Sequence, residues 1–190
     1  MRYKSNTKRA GAPVDFWKNY RAHLKVPDEF KVWILDQYYD KETLCVYCDA
    51  SLEEDYSGMG IACSYVVNGM IIVKQQYTQS SYKEELSSWY AEIKAIIFAL
   101  TFFEKHRAGA AKIIIYTDLI DIEKLLGDEP FFRKNVHLKE VRKELKQLYQ
   151  LKKSVFGDNL RVLYLPPDKR KFNTFHRSAH NAARKMIRDY

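Results

Sequence analysis

Residues 44–51 read LCVYCDAS, a short apolar run that stops at an aspartate. An apolar stretch of this length predicts a strand buried on both faces, with Asp49 at its C-terminal end. Downstream, Gly58 to Val67 and Met70 to Thr78 predict two more strands. They are joined by Asn68-Gly69, a strong short hairpin signal. Residues 85–105, ELSSWYAEIKAIIFALTFFEK, keep apolar residues at helical spacing throughout. KIIIYT at 112–117, rich in β-branched residues, predicts a central parallel strand with Asp118 immediately after it. A brief helix is expected over 119–126, closed by Gly127, and a charged amphipathic helix over 137–153. LRVLYL at 160–165 predicts a fifth strand stopped by Pro166-Pro167, and 174–189 a closing helix. The order β-β-β-α-β-α-α-β-α implies an α/β fold. Its five-stranded mixed sheet would have three antiparallel strands and then two parallel ones, flanked by helices.

Upstream of this unit the signals are weaker. Residues 1–13 are polar and end in Gly-Ala-Pro, which reads as a flexible arm. Residues 14–25 place Phe16, Trp17, Tyr20 and Leu24 at helical spacing between Pro13 and Pro27. That aromatic stripe either packs a helix onto the domain or stacks on nucleic-acid bases. Residues 28–40 are aromatic-rich and their pattern does not choose an element. The expected organisation is a basic N-terminal arm and helical extension over 1–43 and a compact domain over 44–190.

Composition bounds the function. With 46% hydrophobic and 29% charged residues in 190, the chain can build a core and is not a disordered tail. No apolar run approaches the roughly 18–20 residues needed to span a bilayer, so no membrane role is expected. The basic start is not followed by an apolar core, unlike a secretory signal. A monomeric, cytoplasmic protein is the expectation. Cys45, Cys48 and Cys63 are too few and odd in number for a disulfide framework. Cys45 and Cys48, three apart on a strand, should face opposite sides as buried, inert thiols. Residues 1–25, 131–153 and 161–190 each hold six more Lys and Arg than Asp and Glu, whereas the whole chain is only +8. Such segments either form a surface for a polyanion or are solvated helix faces. The remainder has surplus carboxylates, some of which need a cation.

Three carboxylates stand out. Asp49 and Asp118 end strands, and ligands gather outside the carboxyl ends of strands in α/β sheets. If the two strands are parallel neighbours, these side chains lie side by side. Glu92 lies between Ala91 and Ile93, residues with a core-facing pattern, and a buried carboxylate needs a partner or a metal. Taken singly, Asp49 also fits a turn, Asp118 a helix N-cap and Glu92 a solvated helix face. Their order along the chain favours convergence on a divalent cation.

The pattern resembles the ribonuclease H type 1 family and its reverse-transcriptase-like relatives. Their first strand ends in Asp, then Gly or Ala, then Ser, as in CDAS at 48–51. A glycine pair opens the second strand, as Gly58 and Gly60 do. A helix carries A-E-x-x-A-x-x-x-A-L, as in AEIKAIIFAL at 91–100, and the next strand ends in Thr-Asp, as in YTD at 116–118. The resemblance covers about residues 44–190. It implies a ribonuclease H-like fold and a metal-dependent endonuclease that hydrolyses the RNA strand of RNA–DNA hybrids. It also implies two Mg²⁺ or Mn²⁺ ions about 3.5–4 Å apart, with Asp49 bridging and Glu92 and Asp118 each holding one.

Two departures accompany the match. The family's last helix begins N-x-x-A-D, whose Asp is the fourth ligand; here HRSAH at 176–180 puts His180 in that place and His176 at the Asn position. By that match His180 joins the catalytic, metal-binding set, and an imidazole suits Mn²⁺ better than Mg²⁺. The loop before the helix, PPDKRKFNTF, has no His, and Asp168 or Arg170 lies nearest the place where the family carries one. A basic protrusion between the middle helices has only residues 127–136 available, so none is expected. The amphipathic helix or the N-terminal arm would substitute. The alternative is a catalytically weak or inactive module of the same fold that binds RNA or hybrid duplex.

Overall fold

The computed structural model describes residues 14–18, 25–55, 57–79 and 87–188. The elements in chain order are α1 (Asp28–Tyr39), β1 (Thr43–Leu52), β2 (Gly58–Val67), β3 (Met70–Gln79), α2 (Ser88–His106), β4 (Lys112–Thr117), α3 (Ile122–Leu126), α4 (Val136–Phe156), β5 (Leu160–Tyr164), α5 (Pro167–Arg170) and α6 (Thr174–Met186). The strands form one sheet in the order β3-β2-β1-β4-β5. β1, β2 and β3 pair antiparallel, and β4 and β5 continue parallel to β1. The expected mixed sheet is the one observed.

Local chemistry accounts for the elements. Asn68 and Gly69 both take positive φ, +48° and +74°, as a two-residue hairpin turn between right-twisted strands requires. Ser87 caps α2 by accepting from the Tyr90 amide, and Asn135 caps α4 by accepting from that of Leu138. Gly58 and Gly60 have packing roles. A Cβ on Gly58 would meet the Tyr77 ring, and one on Gly60 would lie 2.1 Å from the Ala183 carbonyl oxygen of α6. Glycine at 60 lets α6 rest directly on β2.

Alternation along β1 divides the core in two. Leu44, Val46 and Cys48 join α2, α3 and α4 on one face, whereas Cys45 and Tyr47 join α1 and the Phe175 ring of α6 on the other. All three cysteines are buried and free, as expected. Burial raises their thiol pKa values, that of Cys45 to about 12.

Residues 28–39, which the pattern left open, form a helix. Phe30 and Ile34 enter the second cluster, and the Tyr47 hydroxyl donates to Gln37 Oε1 at 2.5 Å. Of the helix predicted over 14–25, Phe16 to Lys18 form a turn; Tyr20 and Leu24, like the predicted arm at 1–13, lie outside the described residues. Trp17 is buried, its indole N–H donates to the Phe172 carbonyl at 3.1 Å, and Phe16 packs edge-on against Tyr38 and Phe175. Phe16 and Trp17 are therefore packing residues rather than base-stacking ones.

The loop between α3 and α4 is short, in keeping with the absence of a protrusion, and its Phe131 and Phe132 cover Trp89. Arg142 of α4 donates to the carbonyls of Lys124, Leu125, Gly127 and Glu129, and Lys146 reaches Gly127 and Asp128. Two cations of the basic segment at 131–153 are therefore engaged in holding the end of α3.

Candidate metal centre

Register brings the strand-end aspartates together. β1 and β4 run parallel with Tyr47 opposite Tyr116, and Asp49 and Asp118 lie two residues beyond that pair. The sequence expectation that they stand side by side holds. Glu92 comes from the second turn of α2, whose Ala91, Ile93 and Ala95 are buried against the sheet. One ligand oxygen from each of Asp49, Glu92 and Asp118 lies within 4.8 Å of the others, a group able to hold a metal ion.

The electrostatics of this group are unfavourable without a counter-charge. Burial, then the carboxylates of Asp118 and Asp49, push Glu92 well above the ordinary carboxylate range. Glu92 Oε2 is buried and has no hydrogen-bond partner. A buried acceptor left unmet is costly, and a cation held between the three carboxylates would satisfy it. The all-oxygen donor set suits a hard divalent ion.

α6 supplies the remaining neighbours. Asn173 Oδ1 accepts from the amides of Phe175 and His176, fixing where the helix starts. From that start His180 and His176, one turn apart, both turn toward Asp49. His180 Nδ1 is 3.1 Å from Oδ2, and His176 Nε2 is 3.5 Å from Oδ1. The hydrogen bond to Asp49 raises the pKa of His180, whereas burial lowers that of His176. The four predicted site residues thus share one end of the sheet, with His180 beside Asp49 and outside the carboxylate cluster.

Arg170 is the neighbour whose place the sequence left undecided. It lies at the end of α5, and its Nη1 donates to Asp118 Oδ2 at 3.1 Å. The PPDKRK segment was legible as a loop near the centre; nothing in its composition says which side chain turns inward.

Sheet order, flanking helices and the strand-end carboxylates define an α/β domain of ribonuclease H-like fold. Solved structures bear out that class. The chain is similar to RNase H1 from the halophilic archaeon Halobacterium salinarum NRC-1, with 16% identity over 78% of this chain and 99% of that one and a TM-score of 0.52. LC11-RNase H1, isolated from compost by a metagenomic approach, gives 17% identity over 78% and 97%, with a TM-score of 0.57. The same LC11 enzyme in complex with an RNA/DNA hybrid gives 14% identity over 77% and 97%, with a TM-score of 0.50. No family model matches the sequence, and no curated protein matches it. Among the described residues, no helix is long and apolar enough to cross a membrane.

Proposed function

We propose that this protein is a metal-dependent endonuclease that hydrolyses the RNA strand of RNA–DNA hybrids. The observation that carries the reading is the convergence of Asp49, Glu92 and Asp118 from β1, α2 and the end of β4, with a buried Glu92 oxygen left unmet. The alternatives for each residue alone, a turn, a cap and a solvated face, do not explain three carboxylates drawn to one point. The LC11 structure with a bound hybrid supports the choice of substrate by likeness of fold.

In this reading Asp49, Glu92 and Asp118 would hold the ions between them, and His180 would serve as a fourth ligand through its place beside Asp49. Bound Mg²⁺ or Mn²⁺ would supply an activated water and stabilise the departing 3′ oxygen. The chain's own part is to hold these ligands on rigid strand and helix ends and to exclude bulk water from the Glu92 side. Arg170 would balance charge at Asp118 and lie within reach of a substrate phosphate. Lys139 and Lys143, exposed on the outer face of α4, would contact the phosphate backbone.

The test is incubation of the full chain with labelled single-stranded RNA, RNA–DNA hybrid and duplex DNA under Mg²⁺, Mn²⁺ and EDTA. Cleavage of the hybrid's RNA strand with metal alone is expected. Hybrid binding without cleavage under either metal would replace this reading by that of an inactive binding module.

A further inference from the structure

We propose that the groove between β3 and the second half of α2 docks an extended acidic segment of a partner protein, which adds to the sheet as a strand beside β3. The site goes beyond the nuclease reading and does not depend on it.

The edge of the sheet comes first. β3 is the last strand and pairs with β2 alone, so the backbone groups that point away from β2 have no strand partner among the described residues. Edges of this kind are usually short, bulged, charged or interrupted by proline. β3 is 10 residues long, has no proline and carries one charge, Lys74. Its antiparallel register with β2 runs unbroken from Met70 opposite Val67 to Gln79 opposite Gly58. It is a strand template that the described residues leave open.

The groove lies directly beside that edge. Residues paired across two strands share a sheet face, and Ile61 and Cys63 face α2, so their partners Gln76 and Lys74 do too. There they meet Phe98 and Phe102 of α2, whose ring centroids are 4.8 Å apart, and Lys105 and His106 at its end. The result is a groove of about 400 Å³ with an aromatic floor. Phe102 lies about 15 Å along α2 from Glu92, which sets the groove apart from the metal centre.

Charge selects the occupant. The titratable side chains that line the groove, Lys74, Lys105 and His106, are all basic. Glu104, next to them in sequence, is paired with Lys152 instead. Burial, then Lys74 and Lys105, lower the pKa of His106, and a carboxylate in the groove would offset that field. A second copy of β3 would bring another lysine and no acid, so charge opposes self-pairing. A nucleic-acid backbone makes no use of an open strand edge, whereas an added strand gains main-chain hydrogen bonds there and presents alternate side chains to the groove. The segment that fits sets an apolar side chain over Phe98 and Phe102, with Asp or Glu two residues to either side facing Lys74 and Lys105.

The test is fluorescence anisotropy of a labelled peptide, in which threonines alternate with aspartate, leucine and glutamate, titrated with the full chain. A Kd of about 100 µM or tighter is expected. Lys74→Glu and Lys105→Glu should each weaken binding about tenfold or more, and the double variant should instead take a peptide with lysines in place of the acids. Both lysines are exposed, so these variants should melt as wild type does. Strand addition has its own signature: N-methylation of one alternate set of peptide amides should abolish binding, and methylation of the other set should not. Absence of binding at about 1 mM peptide, equal tolerance of the two methylated sets, or unchanged affinity in either lysine variant overturns the proposal. It fails equally if unlabelled RNA–DNA hybrid displaces the peptide and Lys74→Glu weakens hybrid binding as much, which would give the groove to nucleic acid.

Discussion

Glu92 is half-buried, with its Oε2 fully withdrawn and unmet beside two other carboxylates, so its charge costs stability whenever no cation is near. Glu92→Gln should therefore raise the metal-free unfolding free energy by about 1 kcal/mol and abolish the stabilisation that Mg²⁺ gives wild type. Urea melts with and without Mg²⁺ measure both, and a less stable metal-free variant would count against a centre built for metal. Gly60 has a different role. Its Cβ would press on the Ala183 carbonyl oxygen and lie 2.8 Å from Met186 Cβ, so Gly60→Ala should cost about 2 kcal/mol and shift α6. A melt unchanged from wild type would refute that close approach. The carboxylates were legible because each ends an apolar run or interrupts one. Arg170 was not, because three adjacent cations in a loop, at 169–171, look alike until the turn of α5 selects one.

α1 shows where pattern reading loses its grip on an element. Its aromatic and apolar residues lie on both sides: Phe30 and Ile34 are buried, whereas Val32 and Tyr39 are more than half exposed. No single apolar stripe marks the helix, although it packs firmly on the sheet. Ile34→Ala should cost about 3 kcal/mol, the usual range for deleting a fully buried aliphatic side chain. Denaturant unfolding checks this, and a loss under about 1 kcal/mol would mean that α1 is a loose appendage. β1 was readable as an unbroken apolar run, β2 and β3 from the Asn68-Gly69 hairpin between them, and α2 because its apolar residues follow the helical period from end to end. α4 was legible as a helix, but its charges misled. Arg142 is held by four backbone carbonyls, so Arg142→Ala should destabilise the fold and leave the salt dependence of hybrid binding nearly unchanged. Lys143→Ala should do the reverse, flattening the slope of log affinity against log salt by about one unit.

Across the whole molecule, strand order turns separate residues into a site. Asp49 and Asp118 are far apart in sequence, and only the parallel pairing of β1 with β4 makes them neighbours. A β-β-β-α-β order anticipates that pairing, which is why the sheet and its carboxylates could be expected from the sequence. The reach of His176 to the same carboxylate could not, because it depends on how α6 crosses β1 and β2. That crossing is set by the absence of a side chain at Gly60 and by the Asn173 cap. In the function proposed above, the strand-end carboxylates hold metal for phosphodiester hydrolysis. The most direct test of that role is the Mg²⁺-dependent rate of hybrid cleavage by Asp118→Asn beside wild type, at hybrid concentrations that saturate both. The account predicts robust cleavage by wild type and a loss of about a thousandfold or more in the variant with hybrid binding retained. A variant within a few-fold of wild type would contradict it.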